Sequence, residues 1–286
     1  MATRLRAAQA KVLAEVKGIK YTKKIQQPIA NVDLVLYQYD MSAADMEVLS
    51  LAIQSHLERE LDVMPADMPI DWWYKKEVEL PYRQGGLGAL VEATQAVTAA
   101  TVATGSPLAA APILPPDSFL LSPRYLDGVR QAQVRNYGLI RSLSQDTAKQ
   151  LYTVIENDIQ GGRSMVEIID DIHTRFGVSD SSAKRLAATE VNRAYNDARL
   201  SSVSGVRDSS GQDVGVLHIS SLLPTTRDDH AARHGNAYTP EQETQWWNTG
   251  ANRINCHCTT RTVVFKDGKV IESELQKRIK DQRDVG

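Results

Sequence analysis

The chain has 286 residues, 42% of them hydrophobic and 24% charged, with a formal net charge of −2. At roughly 100–200 residues per domain this length fits about two domains, and the apolar fraction excludes global disorder. The near-neutral balance, with a pI of about 6.3, excludes a protein that coats nucleic acid by bulk charge, so any such contact has to be local.

In chain order, the first segment carries seven Lys or Arg before residue 25 against one acid, Glu15. Its apolar residues, Leu5, Val12, Leu13, Val16 and Ile19, recur at helical spacing, which predicts a charged helix over Met1 to Lys24. That helix is either a basic arm for an acidic partner or a solvated amphipathic helix. No apolar core follows its basic residues, so it is not a signal peptide, and no stretch reaches the roughly 18 apolar residues of a membrane helix. A second helix is capped by Ser42 and carries Met46, Leu49, Ile53, Leu57 and Leu61 on one side. The cluster Asp71-Trp72-Trp73-Tyr74 then sets adjacent aromatics that cannot all face one core, which leaves one for an interface or a core edge.

From Leu87 to Pro116 the composition shifts to Ala, Thr and Pro, with Gly105-Ser106-Pro107 as a break and Pro112, Pro115 and Pro116 as stiffeners. This reads as a helix followed by a linker. Beyond it, a helix over Ser144 to Gln160 stops at Gly161-Gly162, and Ser164 with Glu167 forms a capping box. The capped helix runs through Ile168, Ile169 and Ile172 to Gly177 as its C′ residue, and a third starts near Asp180 and ends near Ser202. Alternation over Val214 to Ile219 predicts a strand. Thr260 to Phe265, Lys266-Asp267-Gly268-Lys269 and Val270-Ile271 predict a hairpin, and a charged helix with Ile271, Leu275 and Ile279 closes the chain.

Three clusters carry chemical signal. On the third helix, Arg185, Thr189, Arg193 and Asn196 share a face, and Glu190 reaches Arg193 at i+3. After the strand comes Thr226-Arg227-Asp228-Asp229-His230, with His234 one helical turn beyond His230 if the segment is helical. The third cluster is Asn255-Cys256-His257-Cys258, which holds both cysteines of the chain. A bridge across one residue would be strained, so a disulfide framework is excluded and synthesis in a reducing cytoplasm follows. Two readings of the last two clusters stand side by side. His230, His234, Cys256 and Cys258 supply the two imidazoles and two thiols of a structural tetrahedral Zn²⁺ site, or both thiols pack in a small core with the histidines hydrogen-bonded locally.

In that order, these clusters resemble the Mu F-like head morphogenesis domain of minor head proteins in tailed bacteriophages. The matching positions are Thr189-Glu190 with Arg193 and Asn196, Thr226-Arg227-Asp228-Asp229-His230 with Gly235, and Asn255-Cys256-His257-Cys258, across roughly Pro123 to Phe265. The sequence departs from the family's usual Arg before Thr-Glu, at Ala188, and places His234 where Asn or Asp is common. The resemblance implies an α+β protein: a helical N-terminal region, then a C-terminal domain of several helices with a small antiparallel sheet. The expected division is a helical interaction domain at 1–103, a Pro/Ala-rich linker at 104–117 and the Mu F-like domain at 118–286. It further implies a minor structural head protein in the virion, at the head or portal vertex, present in the host cytoplasm during assembly. Its expected partners are portal protein and major capsid or scaffold proteins, with local contact to packaged DNA and no membrane. On this reading no residue is catalytic, and Arg185, Thr189, Glu190, Arg193, Asn196 and Arg227 form a structural network. The alternative is a nuclease-like or toxin-like enzyme working through Glu190, Arg227, His230 and His234. Against it, the sequence holds no carboxylate cluster, Gly-rich phosphate loop, nucleophile elbow or His-Glu-x-x-His helix.

Overall fold

The structure, a computed structural model, describes residues 1–29, 32–61, 73, 75–104, 115–271 and 278–279. It is mostly helical with two small antiparallel sheets, as the resemblance implies. Among the described residues the helices are α1 (Ala2–Lys17), α2 (Ala43–Glu60), α3 (Leu80–Thr104, entered through a π-helical turn Lys75–Glu79), α4 (Pro116–Leu120), α5 (Pro123–Gln160), α6 (Met165–Ser210), α7 (Asp228–Ala232) and α8 (Pro240–Trp247). The strands are β1 (Tyr21–Ile29), β2 (Val32–Tyr39), β3 (Val214–Ile219), β4 (Ala237–Tyr238), β5 (Thr259–Lys266) and β6 (Lys269–Val270). None of the described helices is long and apolar enough to cross a membrane.

Contacts divide the chain into two compact units, one of Met1–Ile70 with Arg135–Arg185, the other of Asp71–Val134 with Leu186–Gly286. The expected linker at 104–117 falls mostly on 105–114, outside the described residues, as do Trp72, Tyr74 and most of the closing helix.

In the first unit, α1 turns Leu5, Ala8, Val12 and Val16 inward and α2 answers with Leu49, Ile53 and Leu57. This is the i, i+3/i+4 stripe that the sequence predicts. Ser42 caps α2 in a reciprocal box with Asp45, which satisfies two amides that the first turn would otherwise leave open. The predicted helix ends earlier than Lys24. After Gly18 the chain enters a hairpin in which Tyr21 pairs with Tyr39 and Ile29 with Val32. Ser164 and Glu167 form the predicted box at the start of α6. The break at Gly177 does not occur: α6 runs unbroken from Met165 to Ser210. A mid-helix glycine costs only about 1 kcal/mol, and a Cβ there would meet nothing within 4 Å, so burial of Ile172, Phe176 and Ala183 on either side carries the helix through.

In the second unit, β3 lies between β4 and β5, and β6 adds to the far edge of β5. The β5–β6 turn is the predicted one, with Asp267 and Gly268 both at positive φ, 52° and 72°. The helices back this sheet closely. A Cβ on Gly85 of α3 would lie 2.1 Å from the Tyr195 carbonyl oxygen of α6, so only glycine permits that approach. Beside it, the buried Arg199 of α6 pairs with Glu92 of α3, and Glu92 also accepts the Thr262 amide of β5 at 3.1 Å. One carboxylate thus ties two helices to the sheet.

Candidate metal centre

The site grows from the segments around β3. After β3 the chain turns through Thr226, whose hydroxyl accepts the Leu223 amide at 2.9 Å, into the short helix α7. It returns as β4, and Thr239 with Gln242 caps α8 by a third reciprocal box. A loop follows, bent by left-handed residues at Gly250 (φ 54°) and Asn255 (φ 50°), before β5 pairs with β3 from Ile219↔Thr259 to Val214↔Val264. The two cysteines sit just ahead of β5.

His230, Cys256 and Cys258 are all buried, and their donor atoms lie within 4.8 Å of one another. His230 Nδ1 is 3.4 Å from Cys258 Sγ and 3.6 Å from Cys256 Sγ. Zinc bonds of about 2.0 Å to nitrogen and 2.3 Å to sulfur at a tetrahedral angle separate the two donors by about 3.5 Å, so the spacing fits. The Cys258 amide donates to Cys256 Sγ at 3.3 Å. The paired thiols split their acidity. A hydrogen bond from Cys258, aided by the Cys258 amide, Arg227 and Trp247 and opposed by burial, lowers Cys256 to about 7. The same bond and burial raise Cys258 to about 11. One thiolate is therefore formed readily, as metal binding requires.

His234 stands apart from this group. Its Nδ1 accepts the Ser220 amide at 3.1 Å and its Nε2 meets the Ile279 carbonyl at 2.9 Å, so both ring nitrogens are taken and Nε2 carries the proton. α7 ends at Ala232, which puts His234 past the helix and off the face of His230.

Arg227 holds the loop. Its Nη1 donates to the carbonyls of Ala251 and Ile254, both at 3.2 Å, and its Nη2 to Asn252 at 2.8 Å. Its Nε donates to His230 Nε2 at 2.9 Å. From the other side α6 grips the cysteine segment. Thr189 Oγ1 accepts the Asn255 amide at 2.9 Å, Asn192 and Asn196 donate to the Cys258 carbonyl at 3.2 and 3.1 Å, and the Thr259 hydroxyl donates to Asn196 at 3.0 Å. Glu190 is buried next to Arg193, 4.0 Å away, while Asp197 draws Arg193 at 3.6 Å and Arg253 at 2.6 Å. Arg185 belongs to the other unit, where it donates to Ser182 at 3.3 Å. Thr189, Asn196 and Arg227 thus converge on the cysteine loop, whereas Arg185 does not.

Sequence reasoning missed the roles of Asn192, His218 and Glu243, whereas Trp246 is a residue expected to hold the loop in the metal-free alternative. His218 lies wholly buried on β3 and donates from Nδ1 to Glu243 of α8 at 2.5 Å; Arg233 meets the other carboxylate oxygen at 2.6 Å. Trp246 sets its ring against both His218 and His230, with centroids 5.1 and 4.7 Å apart. The one available signal was a histidine at an alternating strand position, paired with a carboxylate 25 residues away.

A small antiparallel sheet backed by long helices, with a buried His/Cys cluster in its connecting loops, is the class of domain these observations define. Residues 149–261 match the family model described as phage Mu protein F like protein. The match begins inside α5, ends in β5 and takes in all three motif clusters, the family that their order resembles. At the family level the match is to phage-related head morphogenesis proteins. Neither the curated proteins nor the solved structures give a match to the chain.

Proposed function

We propose that this chain is a minor structural protein of a tailed bacteriophage head, associated with the portal or procapsid, and that zinc held by His230, Cys256 and Cys258 clamps its cysteine loop. The observation that carries the reading is the position of the family match, which covers the helix, the Arg227 turn and the cysteine loop as one interlocked set. The groups that an enzyme would need are already engaged. The Arg227 guanidinium is spent on three backbone carbonyls, and both nitrogens of His234 are paired. Such side chains serve architecture rather than turnover, which favours a role in head assembly, DNA packaging or genome delivery over hydrolysis. Portal, major capsid or scaffold proteins are the partners this role implies, with any contact to packaged DNA local.

Two measurements test the two parts. Mass spectrometry of purified procapsids and virions should find the chain at low copy, and its absence from both particles would sink the structural role. Elemental analysis of protein purified without chelator should give close to one zinc per chain, as a site whose binding energy is folding energy would retain it; less than about 0.2 removes the metal. Nuclease activity lost in a His230→Ala variant would instead establish the enzyme.

A further inference from the structure

The strand register brings another imidazole to the cysteine pair. His218 on β3 is directly opposite Thr260 on β5, and partners in an antiparallel pair share a face. Cys258 lies two residues before Thr260, just ahead of the strand, and its thiol interacts with the His218 ring. The indole of Trp246 touches the rings of both His218 and His230, so the two imidazoles flank one side chain.

The orientation of His218 suits a ligand. Its Nδ1–H is committed to the Glu243 carboxylate, with both residues fully out of solvent, which leaves Nε2 as the ring nitrogen that can turn to a cation. Among the described residues that buried Nε2 makes no hydrogen bond of ordinary length, and the Cys258 thiol is the side chain that acts on the ring besides Glu243. Buried polar atoms left open are rare enough to call for an explanation, and a missing ion is one of the few available. Behind the ring, Glu243 is held in turn by Arg233, whose guanidinium lies 3.7 Å from the Tyr238 ring centre and 4.3 Å from that of Trp246. A carboxylate that orients an imidazole toward a metal is the usual outer support of a ligating histidine. His234 has the opposite arrangement, with its lone pair accepting an amide.

We propose that His218, through Nε2, is the fourth ligand of a closed zinc site with His230, Cys256 and Cys258, and that Glu243 positions it. This rests on the reading of the three clustered residues as a zinc centre. Two thiolates neutralise the divalent cation, and Glu243 with Arg233 forms a second neutral set, so the buried centre carries no net charge. Full coordination leaves no position open for water or substrate, which makes the site structural. The three clustered donors are already within 4.8 Å of one another, and one of them, the Cys258 thiol, interacts with the His218 ring.

X-ray absorption at the zinc edge, on the full-length wild-type protein as purified, counts the ligands directly. Two sulfurs and two imidazole rings are expected. Two sulfurs with a single ring would overturn the fourth ligand while leaving the three-residue zinc centre standing, and an absence of zinc would overturn both. A chelator-competition titration with zinc alone adds the variants. His218→Ala should bind at least about 100-fold more weakly, and Glu243→Gln about 10- to 100-fold more weakly, the range seen for such outer supports. His234→Ala should stay within about threefold of wild type. Equal affinities for His218→Ala and wild type would refute the assignment. If His218→Ala does not fold, the ring count on the unaltered protein still decides.

Discussion

Arg227 donates from Nε to Nε2 of His230 at 2.9 Å, and this bond fixes the His230 proton on Nδ1, the nitrogen that faces both sulfurs. A zinc ion bound through Nδ1 would move that proton to Nε2, where it would oppose the Arg227 N–H. Arg227 then keeps its loop carbonyls and gives up the imidazole. Substituting Arg227→Ala should therefore have different effects in the two states. In chelator-treated protein the lost charged hydrogen bonds should destabilise by about 2–3 kcal/mol, a clear fall in melting temperature. Zinc affinity should not drop, because a competitor for His230 has also been removed. Arg227→Lys should restore little, since an ammonium cannot span three carbonyls as the guanidinium fork does. A large loss of zinc affinity with unchanged stability would contradict the account.

The Cys/His pairing shows what a sequence can and cannot disclose. His230, Cys256 and Cys258 were legible because their chemistry is distinctive and their motifs stand in a recognisable order. The choice of His234 followed from assuming a helix long enough to align residues four apart. α7 has one turn, and Gly235 at φ 75° swings the chain into β4 instead. Spacing alone could not reveal where a five-residue helix ends. His218 was visible only as a strand residue, since its role depends on Glu243 and on a register that pairs β3 with a strand 40 residues later. In the fold, capping boxes at Ser42 and Ser164 and the Asp267-Gly268 turn were readable because each is local. The hairpin at Tyr21–Tyr39 was not, since its lysines matched the charged helix before it. Gly177 misled for the reverse reason, with packing on both sides outweighing a weak local preference.

The pair Glu92–Arg199 predicts a strong coupling that no motif announces. Arg199 is 2% exposed, and Glu92 serves both it and the Thr262 amide. Removing one partner leaves the other charge uncompensated, at a cost of about 3–5 kcal/mol, with Arg199→Met toward the lower end because the Glu92 carboxylate it leaves behind is partly exposed. The double variant Glu92→Ala/Arg199→Met should recover part of that loss. Denaturant unfolding of the four proteins measures the coupling. Strictly additive losses would mean that the pair is not a functional unit of the fold.

Close helix packing predicts a contrast between two glycines. A methyl at Gly85 would lie 2.1 Å from the Tyr195 carbonyl oxygen, and backbone cannot step aside as a flexible side chain would. Gly85→Ala should cost about 3 kcal/mol or more through overpacking. Gly138 in α5 has nothing within 4 Å of its Cβ position, so Gly138→Ala should stabilise by about 0.5–1 kcal/mol through helix propensity. Melting temperatures that move in opposite directions would support this; two neutral substitutions would mean that α3 does not pack as described.

The unequal thiols predict an ordered alkylation. Cys256 lines a cleft with Thr225, Arg227, Asn255 and His257, so a small reagent can reach it once chelator has removed any metal. With its thiol lowered to about 7, iodoacetamide should label Cys256 with a midpoint near pH 7, while Cys258, raised to about 11, stays unlabelled through pH 9. Arg227→Ala should shift the Cys256 midpoint upward, since that guanidinium favours the thiolate. Stability follows the same signs. An unfolded thiol titrates near about 8.5, so the Cys256 contribution is full above that value and is lost as pH falls through about 7. The Cys258 contribution runs the other way, full below about 8.5 and lost as pH rises through about 11. The thiol-dependent stability of chelated protein should therefore peak at about pH 8.5, and substituting both cysteines by serine should flatten that maximum. Peptide mass spectrometry across pH reads the labelling. Equal labelling of both residues with a common midpoint near pH 9 would show that the two sulfurs do not share a proton, and the bond between them would have to be discarded.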